Sequence, residues 1–582
     1  MKSKTTIGLF LLATTFLSTP AGAAALTPTL DTIKSEAAGL SGNFALSELT
    51  GDVPAGAVKV TIAGKDYYFT PSGDDAALLA TLAGTSAGNL KEDANGIFEL
   101  NGQKYGFDVA SIPDSVFEYT AGTKDDYNFT VQEADAEGNL TDKYYKINLK
   151  PEYFSTSKSI SWTEVGEDKK DETGVVAVNL PNNQTKYFQY TYTKPDGYET
   201  ITKPELVLPT ITDPRLYVTY QAGGVAVNNP SGKDYGDIES KVFKDNKVSG
   251  KLVVTGNDAK ILYIQGGAVY NGGVMGNVRA DFINNTVTGT AEGKHAFIKA
   301  TGGAIFNDNN ATIGDITGDF IGNYATASGS AFGGAIYNSG TIGNITGDFI
   351  GNYASGKGGA IFNNLGTIGN ITGDFITNSA FYDGFGGAIY NAEGAIIGDI
   401  TGDFIGNSVS DTASPATYLS MPGGVINNAG TIGDITGDFI GNYVSTNYSY
   451  GGALFNYTGT INNITGDFIG NYARSTQSSA QGGAILNGAA IGDITGKFIG
   501  NYAFASDSDE DRSSESVGGA ISNMGTIGDI SGNFIGNYAS ASSTDGNALG
   551  GAIGNLVGNV QNLTGNFLNN HAESANGKAY GG

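Results

Sequence analysis

The sequence predicts an all-β protein: a right-handed parallel β-helix, a solenoid, preceded by a β-rich N-terminal region. Three observations carry this. Ten closely similar copies fill the second half, each pairing a Gly-Gly dipeptide and an Asn five residues after its first glycine with a later Phe-x-x-Asn. Glycine and β-branched residues are dense there and no 3.6-residue apolar period survives, which disfavours helical repeats. Upstream, short aromatic strands recur behind lysines. Copies this alike form a stack of units, each burying its apolar side against its neighbours. The right hand follows the usual chirality of parallel crossovers.

Residues 1–23 read as a secretory signal. Lys2 and Lys4 supply the charged start, Ile7 to Leu17 a short apolar run, and Ala21-Gly22-Ala23 a small-residue cleavage site. The run is too short, and too broken by Thr14 and Thr15, to span a bilayer. The chain is therefore expected to be exported. It has no cysteine, so hydrogen bonds and packing replace the disulfides of many exported proteins.

Residues 26–215 form the β-rich region. Lys65-Asp66-Tyr67-Tyr68-Phe69, Lys104-Tyr105-Gly106-Phe107, Lys143-Tyr144-Tyr145-Lys146-Ile147 and Lys186-Tyr187-Phe188-Gln189-Tyr190 start 39, 39 and 43 residues apart, a weak internal repeat of strand-favouring residues. Pro195-Asp196-Gly197 signals a turn. Leu30 to Leu49 is the one stretch that can instead hold a short helix. Pro204, Pro209 and Pro214 mark a joint, since proline lacks the ladder donor of a central strand.

The repeats occupy 223–582. A degenerate copy opens at Gly223-Gly224, ten full copies follow from Gly266 to Gly550, and Gly581-Gly582 reads as the opening of an eleventh, so a longer parent protein is expected. Gly and Phe are only 16 to 18 residues apart in every copy. That rigid segment suits one coil of about twenty residues, with three short strands and three bends; ten coils at a strand spacing of about 4.8 Å give roughly 50 Å. Phe positions such as Phe349, Phe375 and Phe404 are expected to form an interior ladder. Asn338, Asn363 and Asn391, and likewise Asn352, Asn378 and Asn407, are expected at bends, each amide donating to the Asn of the next coil. Asn tolerates left-handed backbone, and glycine permits tight corners.

The pairing of Gly-Gly-Ala-Ile with Phe-x-x-Asn over 223–582 resembles the repeats of chlamydial polymorphic outer-membrane proteins and, more broadly, the passenger of a bacterial autotransporter. The resemblance implies display on the outer membrane by a C-terminal β-barrel and a role in adhesion. No barrel follows in this sequence, so any membrane attachment would run through a downstream barrel. Residues 26–215 share no such resemblance.

The formal charge is −26, from 58 acidic and 32 basic residues, with only four arginines. Phosphates would be repelled, which argues against a nucleic-acid partner. No cofactor motif is present. The stretches between Phe-x-x-Asn and the next Gly-Gly vary from five residues after Asn352 to fifteen after Asn407 and sixteen after Asn501. Leaving the coil at one corner, they are expected to line one edge and to bind a host or surface ligand, protein or glycan. Ser408 to Pro422, with Tyr418 and Met421, and Tyr502 to Val517, with Asp507, Asp509, Glu510 and Asp511, are examples.

The residue before Phe forms an acidic column: Asp281, Asp319, Asp348, Asp374, Asp403, Asp438 and Asp467, then Lys497, Asn533 and Asn566. As the strand neighbour of Phe it is expected to point outward, either as a solvated edge or, for Asp319 to Asp467, as calcium ligands that relieve mutual repulsion. A polysaccharide-cleaving enzyme is the rival class. It needs acid–base residues clustered on one face, but His295 and His571 are far apart in inserts and Lys497 is the one basic break in the acidic column. A passive stalk carrying residues 60 to 200 as an adhesive head is the third class.

Overall fold

The computed structural model describes, by backbone, the strands between residues 44 and 149. It then describes residues 159–170, 172, 175–180, 184–208, 210–212, 224–255, 260–381, 385–410, 423–506, 514–542, 546–568, 570–575 and 577–581. The signal segment 1–23, most of the possible helix of 30–49, and the insert residues 411–422 and 507–513 lie outside the described residues. The chain divides into two compact units, 1–126 with 130–150, and 127–129 with 151–582. Among the described residues the one helical piece is the 3-10 turn Glu167–Lys169.

Every lysine-led aromatic segment is a strand of an antiparallel sheet. In the first unit, Lys65–Pro71 lies between Phe44–Ser47 and Val58–Ile62; Gln103–Gly106 pairs with Ile97–Leu100; and Leu140–Leu149 lies between Phe117–Gly122 and Thr130–Ala134. In the second unit, Gln184–Tyr192 lies between Val175–Leu180 and Ile160–Val165. The repeat of about forty residues is thus a recurring hairpin whose second strand carries the motif.

The second unit is otherwise a parallel β-helix. It begins earlier than the Gly-Gly signal: Glu199–Ile201 already pairs in parallel with Ile238–Lys244, and Leu206–Val207 with Lys247–Val253. An end coil needs only strand pairing on one side, so it can lack the motif, and Pro204 is tolerated between its two strands; Pro209 and Pro214 lie outside the described residues.

The coil is longer than the rigid twenty-residue segment. That segment supplies four short strands, as in Ile336–Asn338, Thr341–Ile342, Ile345–Thr346 and Phe349–Ile350. The first belongs to an 11-stranded wall and the other three to a 29-stranded wall. The variable stretch then adds a strand to a third, 13-stranded wall, such as Tyr324–Ala327, and often a closing strand such as Ser330–Phe332. Partners in adjacent coils are separated by 25 residues at Asn338–Asn363 and by 37 at Asn391–Asn428, yet like still faces like: Phe349 pairs with Phe375 and Ile345 with Ile371.

The interior follows from this register. The Phe column from Phe243 to Phe534 is fully buried. Phe349–Phe375 and Phe375–Phe404 have centroids 4.8 Å apart and planes within 2°, so the strand spacing fixes the ring stacking. Ile and Ala of the same coils complete one continuous core. A second core, including Val248, Leu252, Ile264, Val287 and Ile298, fills the space under the closing strands of the first coils.

The Gly-Gly pair serves two needs. Gly333 has φ +66, a left-handed corner. A Cβ on Gly334 would stand 2.0 Å from the Gly359 carbonyl oxygen, so the second glycine sets how closely two coils approach.

Candidate functional surfaces

Both expected Asn ladders are present, fully buried from Asn271 to Asn523 and from Asn246 to Asn537 and open to solvent only at Asn555 and Asn570 of the last coil. Asn338 Nδ2 donates to Asn363 Oδ1 at 2.9 Å, and Asn363 Nδ2 to Asn391 Oδ1 at 3.0 Å. The ladder after Phe is more heavily bonded. Asn352 Nδ2 donates to Asn378 Oδ1 (2.9 Å) and to the Phe320 carbonyl of the coil before (2.8 Å), while its backbone N–H donates to the same Asn378 oxygen (3.0 Å). Asn378 repeats this with Asn407 and Phe349. The left-handed residue is the one before this Asn: glycine at Gly351 and Gly406, threonine at Thr377, all with φ near +50 to +60.

The acidic column does not point outward. Asp281, Asp319, Asp348 and Asp374 are buried, and Asp403, Asp438 and Asp467 are half-buried. Each carboxylate accepts the backbone N–H of the next Asp: Asp348 donates to Asp319 Oδ1 at 3.0 Å, Asp374 to Asp348 at 2.9 Å, Asp403 to Asp374 at 2.8 Å, and so on to Lys497 on Asp467 at 2.8 Å. These bonds orient the carboxylates and disperse their charge into the amides. The ends of the file are also met. The Tyr192 hydroxyl donates to Asp281 Oδ2 at 2.6 Å, and Lys497 Nζ lies 3.4 Å from Asp467 Oδ2. Among the described residues, no three His, Cys, Asp or Glu side chains converge as metal ligands.

Burial raises the Asp281 carboxyl above its usual range, against the Tyr192 and Asp319 hydrogen bonds, which lower it. A raised folded pKa means that folding favours the protonated acid. This contribution is therefore full below the unfolded carboxylate pKa and is lost as pH rises through the folded one. Asn keeps the acceptor oxygen and removes the charge, as Asn533 does in accepting the Asn566 amide. Asp281→Asn is thus expected to melt higher than wild type near pH 8, with the gap closing by about pH 3. Melting curves across that range check it; a gap that widens towards acid overturns it.

A third ladder was missed in the sequence. The Asx of Thr-Ile-Gly-Asx-Ile accepts the amide of its successor: Asn344 donates to Asp315 Oδ1 (2.7 Å), Asn370 to Asn344 (2.9 Å), Asp399 to Asn370 (2.9 Å) and Asp434 to Asp399 (2.9 Å). The readable signal is that only Asp and Asn, which share that oxygen, occupy this position from Asp237 to Asn562.

The residue after Phe-x-x-Asn also forms a column. Tyr443 stacks on Tyr472 at 5.0 Å, Tyr502 on Tyr538 at 5.4 Å and Tyr538 on His571 at 5.5 Å. Burial raises the Tyr472 phenol well above its usual value. His571 is thus a member of a strand register and not an insert residue, because it pairs with Tyr538. His295 lies in a turn. The variable stretches accordingly begin and end as wall strands, for instance Ser408–Ser410, Tyr502–Ala505 and Glu515–Val517. Tyr418, Met421, Asp507, Asp509, Glu510 and Asp511 lie outside the described residues.

No protein-family model, no curated protein and no solved structure matches this chain.

Proposed function

We propose that the chain is an exported, surface-displayed bacterial passenger protein of autotransporter type, in which the β-helix is a rigid scaffold for adhesion. The observation that supports this best is where variation is allowed. Buried Asn, Phe and Gly positions repeat coil after coil, while length and chemistry vary in the stretches after Phe-x-x-Asn. The signal-like start and the lack of cysteine fit an exported protein held by hydrogen bonds and packing without disulfides. The reading assigns no catalytic centre and no cofactor.

The test separates scaffold from binding edge. Beads coated with the full chain are assayed on immobilised mucin and extracellular-matrix proteins. Removal of residues 411–422 and 507–513 is expected to abolish adhesion. Removal of 333–385, two whole coils, is expected to leave most of it. Loss on coil removal alone, or no adhesion by the intact chain, overturns the proposal.

A further inference from the structure

The outer face of the 29-stranded wall carries chemistry that stacking does not use. An exposed threonine column runs from Thr317 to Thr495 without a break, in register from coil to coil. A second, interrupted column includes Thr341, Thr367 and Thr431. Between them runs the Asx ladder. Among the described residues, the hydroxyls of the Thr317–Thr495 column make no hydrogen bond within the chain, and Asp399, Asp434 and Asp493 use only Oδ1, leaving Oδ2 open to solvent. Two kinds of group are therefore offered: a hydroxyl that donates and accepts at every coil from Thr317 to Thr495, and a second, anionic carboxylate oxygen at the coils whose Asx is Asp.

These groups are held still. Threonine is stiff at χ1, and each Asx is pinned by the next coil's amide. Between Thr317 and Thr495 the face has no open strand edge, because its backbone groups bond to the coils above and below. It carries no aromatic residue between Thr312 and Thr317 or their equivalents, so ring stacking is not its mode of recognition. The basic residues at its margins are engaged, Arg279 with Tyr198 and Lys497 with Asp467.

We propose that this face binds a linear, amino-bearing polysaccharide laid along the β-helix axis, roughly one sugar per coil. An extended β-linked glycan advances per sugar by a distance comparable to the coil spacing of about 4.8 Å. Its ammonium groups meet the open carboxylate oxygens, and its hydroxyls meet the threonines. Exposed charge pairs are individually weak, so affinity accumulates along the coils. A second copy of this face would bring like charges together. An extended peptide draws its affinity from a free sheet edge, which this face lacks. The inference rests on the surface-binding reading above and names a face and a ligand class that the inserts do not supply.

The test titrates the full chain with oligomers of β-1,4-linked glucosamine at low salt, by calorimetry. Affinity is expected to rise with oligomer length. The triple variant Asp399→Asn, Asp434→Asn, Asp493→Asn is expected to bind about tenfold more weakly with unchanged melting, since Asn already serves this ladder at Asn344, Asn370 and Asn463. Thr401→Val with Thr436→Val is expected to weaken binding as well. Removal of 411–422 and 507–513 is expected to leave it intact, so failure here is separable from failure of the insert reading. The proposal is overturned by absence of binding, by equal binding of the triple variant, by loss of binding on insert removal, or by oligolysine of matched charge binding as tightly.

Discussion

Asn378→Asp is expected to cut the β-helix into two independently melting halves. The wild-type amide nitrogen donates to Asn407 Oδ1 at 2.9 Å and to the Phe349 carbonyl at 2.8 Å, in a fully buried position. Asp keeps the oxygen that accepts from Asn352, but turns a second, anionic oxygen on two acceptors. Leaving a buried charge without its partner costs about 3–5 kcal/mol. In a solenoid, where each coil contacts only its neighbours, that cost falls on one interface. Urea unfolding followed by circular dichroism should show two transitions in place of one. Lowering the pH should partly restore the single transition, because a protonated Asp regains one donor. A single, unshifted transition at neutral pH would show that the ladder does not hold coils together.

Gly359→Ala is the second large effect. A Cβ there would lie 1.9 Å from the Gly387 carbonyl oxygen and 2.5 Å from that of Ser379. Both are backbone atoms, so no side chain can swing aside. The coils must part, straining the Gly359 N–H bond to the Gly386 carbonyl and the Ala360 bond to Ala388, now 3.0 and 2.9 Å. A loss of about 3 kcal/mol or more is expected, in the range of overpacked cores. Gly394→Ala is the control. Its φ of +78 is left-handed, unlike that of Gly359, but its Cβ would meet only a Leu365 methyl at 3.4 Å, so the cost is about 1 kcal/mol of backbone strain. Equal losses in the two variants would refute the close-approach argument.

The contrast between these glycines shows what sequence could convey. Stacking, the Phe ladder and both Asn ladders were legible because the same motif recurs in every copy, which places identical side chains as neighbours whatever the length of chain between them. The direction of the acidic column was not. Alternation of side chains presumes a continuous strand, whereas the strand Ile345–Thr346 ends before Gly347, whose φ is +152, and Asp348 resumes on the other side of that bend. The third wall was hidden for a different reason. Its inward positions need only be small and apolar, as at Ala354, Ala380, Val409 and Val444, so its strands look like part of a variable stretch. The first coil at Glu199–Ile201 has no motif to read, since among the described residues its strand is the end of the wall and pairs on one side only.

Each coil meets the next through the same Asn, Phe, Gly and Asx contacts, whatever the length of chain between them. No coil therefore has an address. A segment cut out or copied at a Gly-Gly boundary rejoins the same Asn, Phe and Gly partners that it lost. Removing or adding whole coils at these boundaries would change the length of the stack in steps of one strand spacing, about 4.8 Å each.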